Sequence, residues 1–497
     1  MVGHSSFSLL PWPWPLTLTL TLTLTLTLPL LLLLLLLAPV GEARATGLPP
    51  AVSRTLEAQA LPASALSVVV LDPATGKLIL SQLPDTQRSP ASTIKTVTTF
   101  AALDMLGPTF TWHTRALIRG TLQRGVLDGD LILKGGGDPY ITLERWWSFA
   151  QSLRDKGLRA IHGDIIVDDT AFSLPAEDPG AFDGKPNRSY NVLPDALMVN
   201  FQSVEFRLSA NADTREVEVS ANPAPFNLSL ENHVRFAAGR CSNNSGRVEF
   251  KVATDAWDRV EFSGVLSPDC AERTFSRVLL KPTTYAYGTF VQLWRQLGGE
   301  FTGGLRVEPS PADAREFSSF DSLSLAEIIR LTNKFSSNLM ARHLLLAIGA
   351  ERFGYPATLQ KGVDTLAEWG TARGLDLQGV DIDNGSGLSR STHISVLQMA
   401  KVLSAASSSR FAPEFMASLP LAGLDGTLRS RMKSTPAGAV RLKTGHIDGV
   451  SGVAGYVTTP AGKTYVLVSL VNSPRADYGA GEPVHAALVS WLLDNTP

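Results

Sequence analysis

The strand and helix patterns at the two ends of this chain complement each other and together predict a single α/β (α+β) domain. Near the N-terminus, strand patterns at 66–71 and 77–81 are followed by an apolar helical pattern that begins at Ser92. After Ser324 further helices are predicted, and three strands follow between residues 440 and 472. Neither part alone can close a sheet with helices on both faces. We therefore predict one domain, an antiparallel sheet flanked by helices, that is built from both ends and split by a long insertion.

The middle of the chain is rich in short strand patterns separated by turns. Apolar and polar residues alternate over 204–208, 216–221 and 248–252. Such alternation predicts antiparallel strands with one face on a core. The predicted parts are a leader (1–45), the first part of the split domain (46–108), an inserted β-rich region (109–318) and the second part of the split domain (319–497).

The first 45 residues predict an export signal. An apolar run rich in leucine, 16–37, precedes Ala43-Arg44-Ala45, which matches a signal-peptidase site with cleavage after Ala45. No Lys or Arg precedes this run, and it is long enough to span a bilayer, so an uncleaved membrane anchor is the alternative. Either way the remainder of the chain is exported, and we favour a cleaved signal peptide and a periplasmic protein.

Charge and cysteine content limit the partners of the exported part. The net charge of −2 gives no indication of nucleic acid or of an anionic membrane surface as a partner. Cys241 and Cys270 are the only cysteines, and in an oxidising compartment they are a candidate disulfide, with two separate buried thiols as the alternative. No His or Cys neighbours them at ligand spacing, so we predict no metal site.

The start of the helix near Ser92 carries a serine and a lysine three residues apart. Ser92 and Lys95 share one face of a helical turn, so the amine can reach the hydroxyl. The positive end of the helix disfavours a protonated lysine, and a neutral Lys95 can take the proton of Ser92 and make it a nucleophile. The alternative is that Ser92 only caps the helix, and a second Ser-x-x-Lys at 430–433 shows that this spacing also arises by chance.

Two further short motifs lie in the second part of the split domain. Ser336 and Asn338 fall in a short break between two apolar helices, where a hydroxyl and an amide can face a cleft. Lys443, Thr444 and Gly445 end a strand, where a lysine and a hydroxyl suit a carboxylate and a glycine permits close approach. The alternatives are an ordinary interhelical turn and a solvated lysine on an edge strand.

The order Ser-x-x-Lys, Ser-x-Asn, Lys-Thr-Gly resembles the signature of penicillin-binding proteins and class A β-lactamases. The 244 positions between Ser92 and Ser336 resemble the low-molecular-mass class C branch, the penicillin-binding protein 4 type (peptidase family S13), which has domains inserted between these motifs. The resemblance implies a penicillin-binding/β-lactamase-like transpeptidase fold whose insert holds two nested domains. Asn384 and His446 depart from the residues that are most common in that family.

The resemblance also implies an activity, that of a serine-type D-alanyl-D-alanine carboxypeptidase and D,D-endopeptidase. Its substrates would be peptidoglycan stem peptides, its inhibitors β-lactams, and it would need no cofactor. Ser92 would attack the carbonyl of the penultimate D-Ala with Lys95 as the base. Ser336 would relay the proton to the leaving amine, and Asn338 would position the amide on the acyl side.

Substrate binding is implied for the remaining motif residues. Lys443 with Thr444 and Gly445 would hold the terminal carboxylate. The backbone N–H groups of Ser92 and His446 would form the oxyanion hole. The side chains expected to recognise the free D-centre of the stem side chain are Asp168, Arg390 and Phe172, with Asp169 as the alternative to Asp168.

Two other functions are alternatives to this reading. A β-lactamase-like hydrolase is one, although the long insertion argues against it. The other is a non-enzymatic scaffold of the cell-wall machinery that docks through the β-rich insert, against which the complete motif set argues. A homodimer and peripheral contact with that machinery are left open.

Overall fold

The computed structural model describes residues 1, 3–4, 47–253, 255–476 and 479–495. Nearly all of the predicted leader, with its cleavage site after Ala45, lies outside the described residues. Within the described ranges, no helix is both long enough and apolar enough to cross a membrane.

The secondary structure follows the predicted order of strand-rich and helix-rich segments. The helices are α1 (Pro50–Ala58), α2 (Lys95–Leu106), α3 (Leu143–Asp155), α4 (Pro282–Gln296), α5 (Leu325–Phe335), α6 (Asn338–Phe353), α7 (Leu359–Ala372), α8 (Val396–Ser407), α9 (Ala412–Ser418) and α10 (Gly481–Asn495). The strands are β1 (Leu66–Leu71), β2 (Leu78–Gln82), β3 (His113–Gln123), β4 (Val126–Lys134), β5 (Ala160–Ile161), β6 (Ile165–Asp168), β7 (Ser203–Asn211), β8 (Glu216–Asn222), β9 (Ser229–Phe236), β10 (Val248–Val252), β11 (Arg259–Leu266), β12 (Arg273–Val278), β13 (Glu300–Phe301), β14 (Leu305–Val307), β15 (Arg315–Asp321), β16 (Val440–Ile447), β17 (Val450–Thr458) and β18 (Thr464–Asn472).

A five-stranded antiparallel sheet joins the two ends of the chain. Its strand order is β16-β17-β18-β1-β2, with β1 hydrogen-bonded to β18. Val69 and Leu71 contribute to a core with α2, α5, α6 and α8, whereas Val68 and Val70 contribute to a core with α1 and α10. Burial of both sheet faces explains why β1 is a continuous apolar run instead of an alternating one.

The inserted segment forms three more sheets. A seven-stranded sheet contains β3, β4, β5, β6, β13, β14 and β15, and α3 and α4 contribute aromatic side chains to its core. Two three-stranded sheets follow the orders β12-β7-β8 and β10-β11-β9. The strands predicted from alternating patterns, β7, β8 and β10, pair antiparallel as expected, whereas the pairs β4–β6 and β9–β11 are parallel. The seven-stranded sheet begins at His113 and ends at Asp321, which lie opposite each other.

A disulfide joins Cys241, in the connection between β9 and β10, to Cys270, in the connection between β11 and β12. The bond therefore ties together two loops next to the same small sheet. Across the part of the chain that the structure describes, no cluster of three or more His, Cys, Asp or Glu side chains could hold a metal ion.

Candidate active site

Ser92 lies in a tight turn that runs directly into α2. The turn is a 3₁₀ helix, Ala91–Ile94, and the α-helix begins at Lys95. Ser92 and Lys95 therefore do not share a regular α-helical turn, which differs from the prediction made from the sequence. The geometry still joins them, because Lys95 Nζ lies 2.9 Å from Ser92 Oγ. No side chain caps the N-terminus of α2, which removes the alternative that Ser92 is only a helix cap.

Lys95 is fully buried and touches three oxygen atoms. Besides Ser92 Oγ, its Nζ lies 2.7 Å from Asn338 Oδ1 and 2.5 Å from the Ser386 carbonyl oxygen. Burial lowers the pKa of Lys95 well below its ordinary value of 10.5, and the positive charge of Lys443 lowers it further. The cause is therefore mainly burial, and not the helix terminus that the sequence suggests.

A neutral Lys95 fits this set of partners. The Ser386 carbonyl and Asn338 Oδ1 can only accept, so they take the two N–H groups of a neutral amine. The lone pair of the nitrogen is then left for the hydroxyl proton of Ser92. This arrangement is that of a base beside its nucleophile.

Ser336 faces a second buried lysine. Ser336 ends α5 in the left-handed conformation, with φ 57°, and the Ser337 hydroxyl then caps α6 by accepting from the Met340 N–H. Lys443 Nζ donates to Ser336 Oγ at 2.8 Å and to the Thr444 carbonyl at 2.7 Å. Burial lowers the pKa of Lys443 to about 7, and the charge of Arg431 contributes.

Strand β16 forms the edge of the five-stranded sheet beside the Ser92 turn. The Leu442 N–H donates to the Pro420 carbonyl, away from β17, so alternate residues direct their N–H groups outward and that of His446 lies on the same edge. Gly445 packs against the turn, because a Cβ there would lie 2.6 Å from the Pro90 carbonyl oxygen. The Thr444 hydroxyl donates to Thr427 Oγ1 at 2.8 Å.

Asp168 and Phe172 do not reach this site, which corrects the expectation for both. Asp168 is fully buried, and its carboxylate accepts from Lys134, Thr170 and Ser310. Burial alone would raise the pKa of Asp168, but these hydrogen bonds outweigh it and hold that pKa below its usual range. Phe172 packs edge-on against the buried His343, and its ring lies against Gly137.

Arg390 does lie beside the site, in a groove of about 320 Å³ that Asn338 also lines. The Arg390 guanidinium stacks on Phe182, with 4.5 Å to the ring centre, and lies 3.1 Å from Asp448. Asp178 lines the same groove, and the sequence reasoning missed it because it lies in an irregular loop without periodicity. Asp178 is thus one of the carboxylates that line the groove with Arg390, together with Glu177 and Asp383, whereas Asp168 is not among them.

The comparison with known proteins decides the family. The sequence pattern of the D-Ala-D-Ala carboxypeptidase 3 (S13) family matches residues 48–494. The chain belongs to this family. The family resemblance carried by the three motifs is thus confirmed, and so is the fold class.

Two relatives match most of the chain. The D-alanyl-D-alanine carboxypeptidase of Actinomadura sp. (strain R39) is 31% identical over 455 residues, which cover 88% of this chain and 83% of the relative. The crystal structure of penicillin binding protein 4 (dacB) from Haemophilus influenzae superposes with a TM-score of 0.74 at 26% identity, covering 88% of this chain and 99% of the other. The same protein complexed with a novel β-lactam gives a TM-score of 0.70 at 25% identity, covering 86% and 96%.

Two sets of hydrogen bonds that hold the loops around this S13 site were not predicted from the sequence. Asn384 Oδ1 accepts from the N–H and hydroxyl of Ser386 at 3.0 and 2.7 Å, which holds the loop whose carbonyl contacts Lys95. Lys334, near the end of α5, donates to Asp425 at 2.7 Å and to a backbone carbonyl, which links α5 to the loop before β16. Neither residue carries a periodic signal, so only the folded chain shows these roles.

Proposed function

We propose that this protein is a serine-type D-Ala-D-Ala carboxypeptidase that acts through an acyl-enzyme on Ser92. The observation that carries the proposal is the buried Lys95, whose nitrogen lies 2.9 Å from the Ser92 hydroxyl and, among the described residues, has no carboxylate as a hydrogen-bond partner. The names of the S13 relatives support the substrate class. The predicted export signal and the peptidoglycan substrate together favour the periplasm as the location of the protein.

The first step is attack by Ser92 on the carbonyl carbon of the penultimate D-Ala. Neutral Lys95 takes the hydroxyl proton while the Ser92 oxygen bonds to that carbon. The backbone N–H groups of Ser92 and His446 donate to the developing oxyanion, and each such donor contributes about 3–4 kcal/mol. Asn338, which donates to the Tyr190 carbonyl at 3.0 Å, is placed to position the amide of the acyl chain.

The leaving D-Ala nitrogen takes its proton from Ser336, which recovers one from the Lys443 ammonium 2.8 Å away. After this step Lys95 is charged and Lys443 is neutral, so the net charge of the site has not changed. In deacylation, water loses a proton through Ser336 to Lys443, and the departing Ser92 oxygen regains its proton from Lys95. Both lysines then return to their starting states, and the lowered pKa values of both amines favour this exchange of protons.

The recognition of the substrate uses both ends of the cleft. Lys443 and Thr444 hold the terminal carboxylate, while the groove with Arg390 and Asp178 holds the carboxylate and amine at the end of the stem side chain. A D,D-cross-link presents the same type of amide bond, so we include D,D-endopeptidase activity in the proposal. β-Lactams imitate the dipeptide, acylate Ser92 and block the site.

The test is labelling of the purified protein with fluorescent penicillin, with mass spectrometry of muropeptides after digestion. Wild type is expected to carry one label and to release D-Ala, and Ser92→Ala to do neither. Ser430→Ala is the matched control, because it alters the second Ser-x-x-Lys at an exposed position. Label on the Ser92→Ala protein, or intact pentapeptides after wild-type digestion, would refute the proposal. Rapid turnover of nitrocefin would favour a β-lactamase instead.

A further inference from the structure

A cavity of about 760 Å³ lies between the inserted seven-stranded sheet and the C-terminal end of α6. Residues of β3, the glycine turn after β4 and the loop beyond α6 form its walls. Neither the serine site nor the Arg390 groove shares a lining residue with it. Glu351, on its wall, follows Asn338 by thirteen positions on α6, which is about 20 Å along the helix.

Two cations stand side by side on the sheet wall of this cavity. Arg115 on β3 lies directly opposite Lys134 on β4, and like charges in this register destabilise a sheet. Lys134 is compensated by buried Asp168, whose carboxylate lies 2.9 Å from Nζ. Among the described residues, the carboxylate within ion-pair distance of Arg115 is Glu316, at 3.7 Å with both side chains half exposed. Such a pair compensates little of the Arg115 charge.

The opposite wall carries a carboxylate and an aromatic ring. Glu351 lies in the last turn of α6, and Tyr355 is 53% exposed just beyond it. Burial raises the pKa of Tyr355, and the charge of Glu351 and its hydrogen bond to Tyr355 raise it further, whereas the Arg115 charge lowers it. The three groups therefore lie within electrostatic reach of one another. In the described part of the chain, Glu351 has no cationic side chain within ion-pair distance.

We propose that this cavity is a second binding site for a stem peptide, with a ligand carboxylate at Arg115 and a ligand amine at Glu351. The proposal rests on the proposed function, because peptidoglycan presents many stem peptides that combine carboxylates with an amine. A stem of five residues extends about 17 Å, so neighbouring stems of one polymer can reach two sites about 20 Å apart. Occupation of the cavity then raises the effective concentration of substrate at Ser92.

The probe is the stem tripeptide L-alanyl-γ-D-glutamyl-meso-diaminopimelate, which lacks the scissile bond. It is titrated by calorimetry into Arg390→Ala protein that has been acylated with penicillin, so that the serine site and its groove do not contribute. We expect measurable binding, which Arg115→Ala weakens about tenfold. Arg207→Ala is the matched control, because Arg207 is also a half-exposed strand arginine paired with a carboxylate, and it should leave the affinity unchanged.

Activity gives the second readout. Arg115→Ala should leave kcat/KM for a small soluble D-Ala-D-Ala peptide unchanged and lower the rate on intact sacculi about threefold to tenfold. Absence of tripeptide binding in the Arg390→Ala protein, or unchanged affinity after Arg115→Ala, would overturn the proposal, as would an equal loss on both substrates. Failure of penicillin to acylate Ser92 would refute the proposed function instead, and the titration of the unacylated protein would still decide the role of the cavity.

Discussion

Replacement of Gly445 by alanine should inactivate the enzyme without unfolding it. The new Cβ would lie 2.6 Å from the Pro90 carbonyl oxygen and 3.1 Å from the backbone nitrogen of Thr93, whereas ordinary contacts begin at 3.4 Å. Strand β16 or the Ser92 turn therefore has to move by about 0.8 Å. His446, the next residue, carries the proposed oxyanion donor, and loss of one such donor costs about 10²- to 10³-fold in kcat.

The assay compares the rate of acylation by fluorescent penicillin with the rate of D-Ala release, at saturating and at low substrate. Both rates should fall about 100-fold or more, while thermal unfolding shifts by only a few degrees because the strain is local to an edge strand. Gly304→Ala serves as the control, since a Cβ there has no neighbour closer than 3.7 Å. A Gly445→Ala enzyme that acylates within about threefold of wild type would refute this account of the oxyanion hole.

Three further predictions concern charge and stability. Lys443 has to be protonated to return a proton to Ser336, so kcat/KM should fall as the pH rises through about 7. Arg431→Gln removes a positive charge and so raises the pKa of Lys443, which should move this fall in kcat/KM to higher pH. Asp425→Asn removes the negative charge opposite the nearly buried Lys334 on α5. It should lower the free energy of unfolding by about 1–3 kcal/mol in a denaturant titration and reduce acylation. Replacement of Cys241 and Cys270 by serine should destabilise the insert by about 3 kcal/mol in hydrogen exchange while penicillin labelling of Ser92 persists.

The parts of the fold that carry long apolar patterns could be predicted from the sequence. The continuous apolar run of β1 requires two buried faces, and the paired strands at both ends of the chain supply one sheet. Helix α4 was missed, because its residues 282–296 are rich in threonine, tyrosine, phenylalanine and valine, which favour strands. Burial of Tyr285, Phe290 and Trp294 in the insert core outweighs that preference.

The carboxylate predicted near Arg390 illustrates a second limit of prediction from the sequence. Asp168 is the last residue of the apolar strand β6, and a position at a strand end often faces a site. In the fold its carboxylate is instead occupied by five hydrogen bonds, one from Lys134 on β4, two from Thr170 and two from Ser310. Asp178 lies in a loop whose path depends on contacts with distant residues, among them the pairing of Glu177 with Arg342 on α6. No local pattern in the sequence distinguishes these two aspartates.

The protonation state of Lys95 depends on residues that lie far from it in the sequence. Ser92 and Lys95 are three residues apart, and their sequence alone predicts only that they are neighbours. Burial lowers the pKa of Lys95, and the charge of Lys443 lowers it further. The acceptors that hold the buried amine, Asn338 and Ser386, follow it by 243 and 291 positions. These residues reach Lys95 because β1 pairs with β18 and closes one sheet from both ends of the chain. An insertion between the motifs is therefore compatible with a single site, provided that it leaves this closure intact.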